Sequence, residues 1–300
     1  MRVSDAAPAK HPMVSGTFVE AESDPHVAVR GALLREGASH PAPGVRTIPA
    51  RAADFPDGAW PEVRGALEDS GLALVQLDEP LSADRFLALG RRLGTPMPET
   101  DPAVLPQVEE EVILNLVARY GHTRDVSLQP FATQHLTLHT ESSGRPAAAQ
   151  PRYIVLMCRD PGDASTTAQT VVVPMRDVVA RMDPGEVEVL AGTRYAASEA
   201  GPFIARSVQG RRVFSFRDFH PQPLAWVSTS AEATEERVNG AIRSLLAAMY
   251  APEGAAGITW SRGMLIVLDN TYAFHGRTAG SVSPARRPRH LQRLRILSPT

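Results

Sequence analysis

Residues 136–144 read LTLHTESSG, a β-prone run in which apolar and polar side chains alternate. Alternate side chains of a strand share a face, so His139 and Glu141 point the same way while Thr140 points to the other side. A strand that only fills a core gains nothing from an imidazole and a carboxylate on one face. The stretch therefore predicts a β-protein in which one strand carries a pair of ligands.

Composition narrows the function classes. The chain has 300 residues, 43% of them hydrophobic, which is enough for one sizeable core. The formal net charge of -2 offers no basic field for nucleic acid. A single cysteine, Cys158, excludes a disulfide framework and a thiolate metal cluster. No apolar run approaches the roughly 20 residues that cross a bilayer, and no signal-peptide core is visible. We expect a cytoplasmic protein without nucleic-acid or membrane partners.

The chain divides by composition into two parts. Residues 1–50 are rich in Ala, Pro, Gly and His with weak periodicity, and we interpret them as an N-terminal extension that is partly disordered or acts as a lid. Residues 51–300 form the main domain. In it, helical patterns predict helices at 58–70, 82–93 and 231–250, the last with a capping box of Thr229 and Glu232.

Short β-prone runs separated by turn residues dominate the rest of the domain. They are LALVQL (72–77), EVILNLVA (111–118), LTLHTE (136–141), RYIVLMC (152–158), TTAQTVVV (166–173), RVFSFRD (212–218), MLIVLDN (264–270) and RHLQRLRIL (289–297). Many short strands of this kind indicate a sandwich or a barrel. The fold class predicted is mainly β, of the α+β kind.

A neutral imidazole and a carboxylate are two of the three ligands of a 2-His-1-carboxylate iron site. The third candidate is His275 in VLDNTYAFHGRT, which directly follows the apolar strand MLIVLDN. Two other readings stay open. Each histidine could be an ordinary polar group at a strand end, or His135 and His139 could form the helical i, i+4 pair of zinc proteases.

The last strand carries a row of cations. In RHLQRLRIL the side chains of Arg289, Leu291, Arg293 and Arg295 share one face. Arginine is costly to turn inward unless it meets an anion, and a guanidinium can bind a carboxylate through two parallel hydrogen bonds. This face is therefore expected to bind an anionic ligand.

Five segments together resemble a known family. LTLHTES, QPRYIVLMCRDPG, STTAQT, WSRGMLIVLDNTYAFHGRT and RHLQRLRI are similar, in this order, to the Fe(II)/2-oxoglutarate-dependent oxygenases of the TauD and clavaminate synthase-like group. The resemblance covers about residues 70–297, and Glu in HTE resembles the clavaminate synthase and amino-acid hydroxylase branch. It implies a double-stranded β-helix, or jelly roll, over 51–300, with helices on one outer face and iron at the open end.

The resemblance also implies the cofactors: Fe(II), the co-substrate 2-oxoglutarate and O₂. By the same resemblance, His139, Glu141 and His275 ligate the iron. The retained carboxylate argues against halogenation, because halogenating members of the family have a small residue at that position.

Further roles follow from the resemblance for the co-substrate. Arg289 pairs with the distal carboxylate of 2-oxoglutarate, and Thr166 or Thr167 donates a hydroxyl to it. Arg293 and Arg277 support the co-substrate or contact the substrate, with a structural salt bridge as the alternative reading.

Two residues are candidates for substrate contact. His135 shares the face of His139 if the strand extends that far, and Asp218 in VFSFRDF lies near where related enzymes place acidic residues that meet a cationic substrate group. A solvated strand end explains Asp218 equally well.

The function expected from these residues is hydroxylation of a C–H bond in an amino acid or a small molecule derived from one, free or carried on a larger scaffold. Specialised metabolism, such as antibiotic biosynthesis, is the expected setting. The alternatives are a desaturase or cyclase on the same scaffold, a taurine-type sulfonate dioxygenase, and a jelly-roll binding protein without catalysis.

Overall fold

The computed structural model describes residues 13–38, 46–163, 168–280 and 287–298. Strands β1–β17 span, in order, Val14–Phe18, Thr47–Ala50, Leu72–Leu77, Thr95–Pro96, Val108–Glu109, Ile113–Val117, Leu136–His139, Tyr153–Asp160, Thr170–Pro174, Thr193–Tyr195, Ala205–Val208, Arg211–Phe214, Leu224–Ser228, Ala256–Ile258, Met264–Asp269, Ala273–Arg277 and His290–Leu297. Helices α1–α6 span Pro25–Glu36, Trp60–Ser70, Ala83–Leu93, Met175–Ala180, Pro184–Ala191 and Glu235–Met249.

Two sheets form the centre of the molecule. The larger has the order β2-β3-β15-β8-β17-β6-β5, with β4 also paired to β17, and the smaller has the order β14-β9-β16-β7. Apart from the parallel β2–β3 pair, their ladders are antiparallel. Neighbouring strands are mostly distant in sequence, as when β17 pairs with β6 and β8. The predicted jelly roll is confirmed.

A buried cluster joins the facing sides of the two sheets. Ile154, Leu156 and Leu291 from the larger sheet pack with Val172 and Ile258 from the smaller one. Because strand side chains alternate, the same strands send Val155 of β8 and Leu294 of β17 to the other face. Both faces of the larger sheet are therefore covered by apolar side chains, one face packing on the smaller sheet and the other on the outer helices.

Helices cover both outer faces, so the prediction that they lie on one outer face is wrong. α2 and α3 pack on the larger sheet, whereas α1, α4, α5 and α6 pack on the smaller one. The reason is burial: Val171 and Val173 of β9 point outward from the smaller sheet and are fully covered. Such a β-branched face needs an apolar cover, and sequence periodicity did not show α1, α4 and α5.

The three predicted helices are present with shifted ends. α2 is capped at its C-terminus by Gly71, whose φ of 71° is the left-handed conformation that glycine tolerates best. α3 is capped by Ser82, whose hydroxyl accepts from the Arg85 N–H. The capping box of Thr229 and Glu232 is wrong: α6 begins at Glu235, and Thr234 accepts the Arg237 N–H.

The N-terminal segment contains packed structure where it is described. β1 pairs with β13, β2 pairs with β3, and α1 contacts α6. Residues 1–12 and 39–45 lie outside the described residues. The lid role of residues 1–50 stays a prediction, and none of the described residues of this segment lines the cavity described below.

Among the described residues, the helices are all too short or too polar to span a membrane.

Candidate metal and co-substrate site

The β7–β16 ladder brings two histidines together across the sheet. His139 and His275 are register partners, with ring centroids 4.4 Å apart. β7 ends at His139, so Glu141 lies in the following turn rather than on the strand, and Ser142 there has φ of 58°. One ligand atom from each of His139, Glu141 and His275 lies within 4.8 Å of the others. The sequence-predicted triad is thus assembled in space.

Hydrogen bonds outside the triad orient two of its members. The Thr137 carbonyl lies 2.7 Å from His139 Nδ1, so this nitrogen donates and Nε2 keeps its lone pair for another partner. The side-chain amide of Asn270 accepts a hydrogen bond from the Glu141 N–H at 2.8 Å and donates one to the Glu141 carbonyl at 3.1 Å. Asn270 had no assigned role, although it is the last residue of the run MLIVLDN.

Burial and charge set the protonation of the triad. Burial lowers the pKa of His275 to about 3, and His139 acts in the same direction. Burial acts to raise the pKa of Glu141, but Arg293, His139 and Arg295 outweigh it and lower the pKa to about 2. Near neutral pH the cluster is therefore one carboxylate and two neutral imidazoles, which is the state that binds a divalent metal.

Proton linkage predicts acid sensitivity of the metal-free protein. Below pH 6.5 the unfolded chain protonates His275, whereas the folded protein does so only near pH 3. Stability is therefore expected to fall as pH drops through this window. Urea unfolding at several pH values checks this, and His275→Gln should flatten the dependence whereas the exposed His122→Gln should not. An unchanged slope in His275→Gln would contradict the burial argument.

A cavity of about 510 Å³ opens beside the triad, between the two sheets. Its apolar wall includes Leu116, Leu156 and Leu291, and its polar wall includes the row of arginines on β17. The prediction that Arg289, Leu291, Arg293 and Arg295 share one face is confirmed, since all four line this cavity.

Arg289 lies buried beside the cavity. Its Nη1 donates to the Ala168 carbonyl at 3.1 Å, and the described residues offer it no carboxylate partner. Burial lowers its pKa to about 10, with Cys158 opposing. A buried guanidinium without a counter-ion is costly, and a ligand carboxylate would complete it.

Arg293 and Arg295 form a compact charge network with two glutamates. The Glu99 carboxylate accepts from Arg293 Nη2 at 3.0 Å and from Arg295 Nη2 at 2.6 Å. The other ends, Nη1 of each arginine, lie 3.5 and 3.6 Å from Glu141 Oε1. Glu141 Oε2 is 4.0 Å from His275 Nε2. The two oxygens of Glu141 thus face different partners, one the arginines and the other the imidazoles.

Removing the carboxylate of Glu99 tests this network. Glu99→Gln takes away one of two carboxylates from Arg293 and Arg295, and we expect the free energy of unfolding to fall by about 2 kcal/mol because Glu141 remains close to both. Urea unfolding measures it. Glu68→Gln, which removes the partner of Arg64 in an exposed pair, should change it by less than about 0.5 kcal/mol. Equal effects would show that the network adds nothing.

The guanidinium of Arg277 is hydrogen-bonded to backbone carbonyls. It donates to the carbonyls of Gln129, Pro130 and Gln134 at 2.6–3.1 Å, and so fastens residues 129–134 over β16. It lines the cavity, but these bonds are structural. A role in supporting the co-substrate stays a prediction.

The hydroxyl donor predicted at Thr166 or Thr167 lies outside the described residues. Thr170, which had no assigned role, lines the cavity opposite Arg277 in the β9–β16 register. Its hydroxyl accepts from Trp260 Nε1 at 3.1 Å.

The two candidate substrate residues lie elsewhere. His135 is exposed and precedes β7, and it does not line the cavity. Asp218 is buried behind the metal strand, where its carboxylate accepts from Arg30 at 3.2 Å and from the Tyr250 hydroxyl at 2.7 Å. The Tyr250 oxygen in turn accepts the Leu138 N–H. The structure brings neither residue to the cavity, and their substrate role stays a prediction.

Other solved structures share this fold over most of their length. An asparagine oxygenase superposes with a TM-score of 0.61 at 20% identity, covering 83% of this chain and 81% of that one. PvcB, an Fe, alpha-ketoglutarate dependent oxygenase from an isonitrile synthetic pathway, gives 0.58 at 19% identity, covering 98% and 95%. The non-heme iron oxygenase OrfP gives 0.60 at 16% identity, covering 82% and 81%.

No curated protein matches the chain. A family model does match, over residues 40–295: the taurine catabolism dioxygenase TauD, TfdA family. The match spans most of the chain and includes the triad, the cavity and the arginine row. The chain therefore belongs to the TauD, TfdA family of dioxygenases.

Proposed function

We propose that this protein is an Fe(II)/2-oxoglutarate-dependent oxygenase that hydroxylates an amino acid or a small molecule derived from one. The observation that carries the proposal is the joint placement in one cavity of the His139, Glu141 and His275 cluster and of Arg289, which has no carboxylate partner among the described residues. A metal site alone fits many functions. A metal site beside a buried cation that lacks a counter-ion fits a co-substrate that is both a chelator and a carboxylate.

The residues fit the iron on their own chemistry. Two imidazoles and one carboxylate are the donors of the facial triad, and His139 keeps Nε2 free because Nδ1 is hydrogen-bonded. His275 Nδ1 is buried without a hydrogen-bond partner among the described residues. When bound, the iron would supply oxidative decarboxylation of 2-oxoglutarate coupled to oxidation of a C–H bond.

The chain supplies position and shielding for this chemistry. Arg289 would bind the distal carboxylate of 2-oxoglutarate, and Leu291, two residues along the same face, adds apolar surface to the same cavity. Low polarity around Arg289 strengthens a guanidinium–carboxylate pair. Arg293 and Arg295 keep Glu141 ionised and aligned, and Asn270 fixes its backbone.

The ligands of two similar structures support the substrate class. An asparagine oxygenase structure contains Fe(II), 3-hydroxyasparagine and succinate, and an OrfP structure contains (3S)-hydroxy-L-Arg. By analogy, the substrate here is amino-acid-like, free or carried on a larger scaffold, in specialised metabolism.

The test is anaerobic reconstitution with Fe(II) and 2-oxoglutarate, followed by optical spectroscopy. The proposal expects a visible metal-to-ligand charge-transfer band, and then succinate release on addition of O₂ with an amino-acid panel and taurine. A product one oxygen heavier identifies hydroxylation, and one lighter by two hydrogens identifies desaturation. Absence of the band at every metal loading would replace the proposal with a non-catalytic binding protein.

A further inference from the structure

The cavity carries more cations than anions. Among the described residues, three carboxylates line it, those of Glu99, Asp101 and Glu141. The arginines that line it are Arg145, Arg217, Arg277, Arg289, Arg293 and Arg295. Unpaired like charges in a partly enclosed space repel one another, so an excess of this kind needs an anionic ligand or solvent to offset it.

Four of these arginines already have partners or proposed ligands. Arg293 and Arg295 share Glu99 and Glu141, Arg277 is held by three carbonyls, and Arg289 is proposed for 2-oxoglutarate.

Arg145 and Arg217 remain, and neither forms an ion pair with a described residue. Asp101 forms no ion pair with either arginine in the described part of the chain; its carboxylate instead accepts hydrogen bonds from Ser127 and from the Ala103 N–H.

These two arginines flank the metal ligands. Arg217 forms a backbone bridge with His139, and its Nη2 donates to the side-chain oxygen of Gln129 at 2.9 Å. Arg145 ends the turn that begins at Glu141, and its N–H donates to the Ser142 carbonyl at 2.9 Å. Both side chains line the cavity, that of Arg217 partly buried and that of Arg145 exposed, so both guanidinium groups are available to a substrate bound there.

An aromatic pair lies beside Arg217. The rings of Tyr195 and Phe219 meet edge to face, with centroids 5.2 Å apart, and both line the cavity. The Tyr195 hydroxyl oxygen accepts the Arg217 N–H at 2.9 Å, which fixes the backbone from which the guanidinium extends. The wall thus combines an apolar surface with an anchored cation.

We propose that the substrate carries an oxyanion on its side chain, in addition to the α-carboxylate of an amino acid, and that Arg217, with Arg145, recognises it. The inference rests on the proposed function and names the substrate class of that site. The proposed group is anionic, whereas an acidic residue at position 218 led us to expect a cationic group on the substrate. Asp218 lies behind the strand, and its neighbour Arg217 lines the cavity. A cationic side chain would meet two unpaired positive charges there, whereas a carboxylate could pair with both.

The experiment compares each acid with its amide on the anaerobic enzyme loaded with Fe(II) and 2-oxoglutarate. The probes are L-aspartate against L-asparagine and L-glutamate against L-glutamine, with L-cysteate as a tetrahedral oxyanion. Binding is read from the shift of the charge-transfer band, without turnover. We expect the better acid to bind roughly tenfold or more tighter than its amide, the usual effect of a charge-assisted hydrogen bond. A larger shift with cysteate would identify a sulfonate as the oxyanion.

Variants assign the preference to the arginine. Arg217→Gln should remove the difference between acid and amide, and Arg145→Gln should reduce it by a smaller factor. Arg217→Asp should favour L-ornithine and L-lysine over the acids. The exposed Arg64→Gln on α2 is the matched control and should leave the preference unchanged.

The outcomes separate the two proposals. Absence of the charge-transfer band in every sample would refute the proposed function. A normal band with equal responses to acids and amides, or with no response to any acid at saturating concentration, would overturn the oxyanion inference alone. An acid preference that survives in Arg217→Gln would overturn the role of Arg217.

Discussion

Replacing His275 with alanine is expected to lower Fe(II) affinity by more than about 100-fold and to abolish succinate release. Loss of an outer partner of a metal ligand alone costs about 10- to 100-fold, so loss of the ligand itself should cost more. Glu141 and His139 would remain, but two donors cannot hold the metal with the same geometry. Anaerobic titration with Co(II), followed by its visible absorption, measures the affinity independently of turnover.

His135→Ala is the matched control for this experiment. His135 precedes the same strand, is exposed and does not line the cavity, so its removal should leave metal affinity unchanged. The opposite pattern, in which His135→Ala loses the metal and His275→Ala keeps it, would favour a site built on His135 and His139. Such a result would overturn the β7–β16 pairing as the basis of the metal site.

Replacing Arg289 with methionine is expected to act in opposite directions on binding and on stability. Without the guanidinium, the Kd for 2-oxoglutarate should rise roughly 30-fold or more, because removing one partner of a buried charge pair costs about 2–5 kcal/mol. The ligand-free protein should become more stable, by about 1 kcal/mol or more, because a buried cation without a counter-ion is replaced by an apolar chain. Calorimetric titration and urea unfolding measure the two quantities.

Lysine at the same position separates charge from geometry. Arg289→Lys keeps one positive charge but cannot form two parallel hydrogen bonds, so affinity should recover only in part. The exposed Arg64→Met should change neither quantity. Weaker binding of 2-oxoglutarate together with a less stable ligand-free protein would indicate that Arg289 is a structural residue, and the assignment of the carboxylate site would fail.

Much of the fold could be predicted because strand side chains alternate. The run LALVQL is β3, Leu72–Leu77, with the bounds predicted, and RHLQRLRIL contains β17 with its arginines on one face. The elements missed, such as β1 and α1, lie in a segment rich in Ala, Pro and Gly. Their structure comes from pairing with β13 and packing on α6, both far away in sequence, and local propensity does not report such contacts.

The metal cluster could be predicted from residue types, while its surroundings could not. Glu99 lies in ETDPAV, which has no periodicity, and its role depends on two arginines almost two hundred residues later. Asp218 and Arg217 show the limit of assigning a residue by its position relative to related enzymes. β12 ends at Phe214, so alternation could not be extended to positions 217 and 218, and a shift of one residue exchanges the two faces.

The pairing of His139 with His275 also constrains how the protein is made. Chains emerge from the ribosome starting at the N-terminus, and these two ligands are separated by more than a hundred residues of intervening chain. During translation, Glu141 and His139 are available long before their partner exists. Arg289 and Arg293 emerge later still, just before and within β17. The complete triad can therefore form only after His275 has emerged, and a chain truncated before β16 would keep two of the three metal donors.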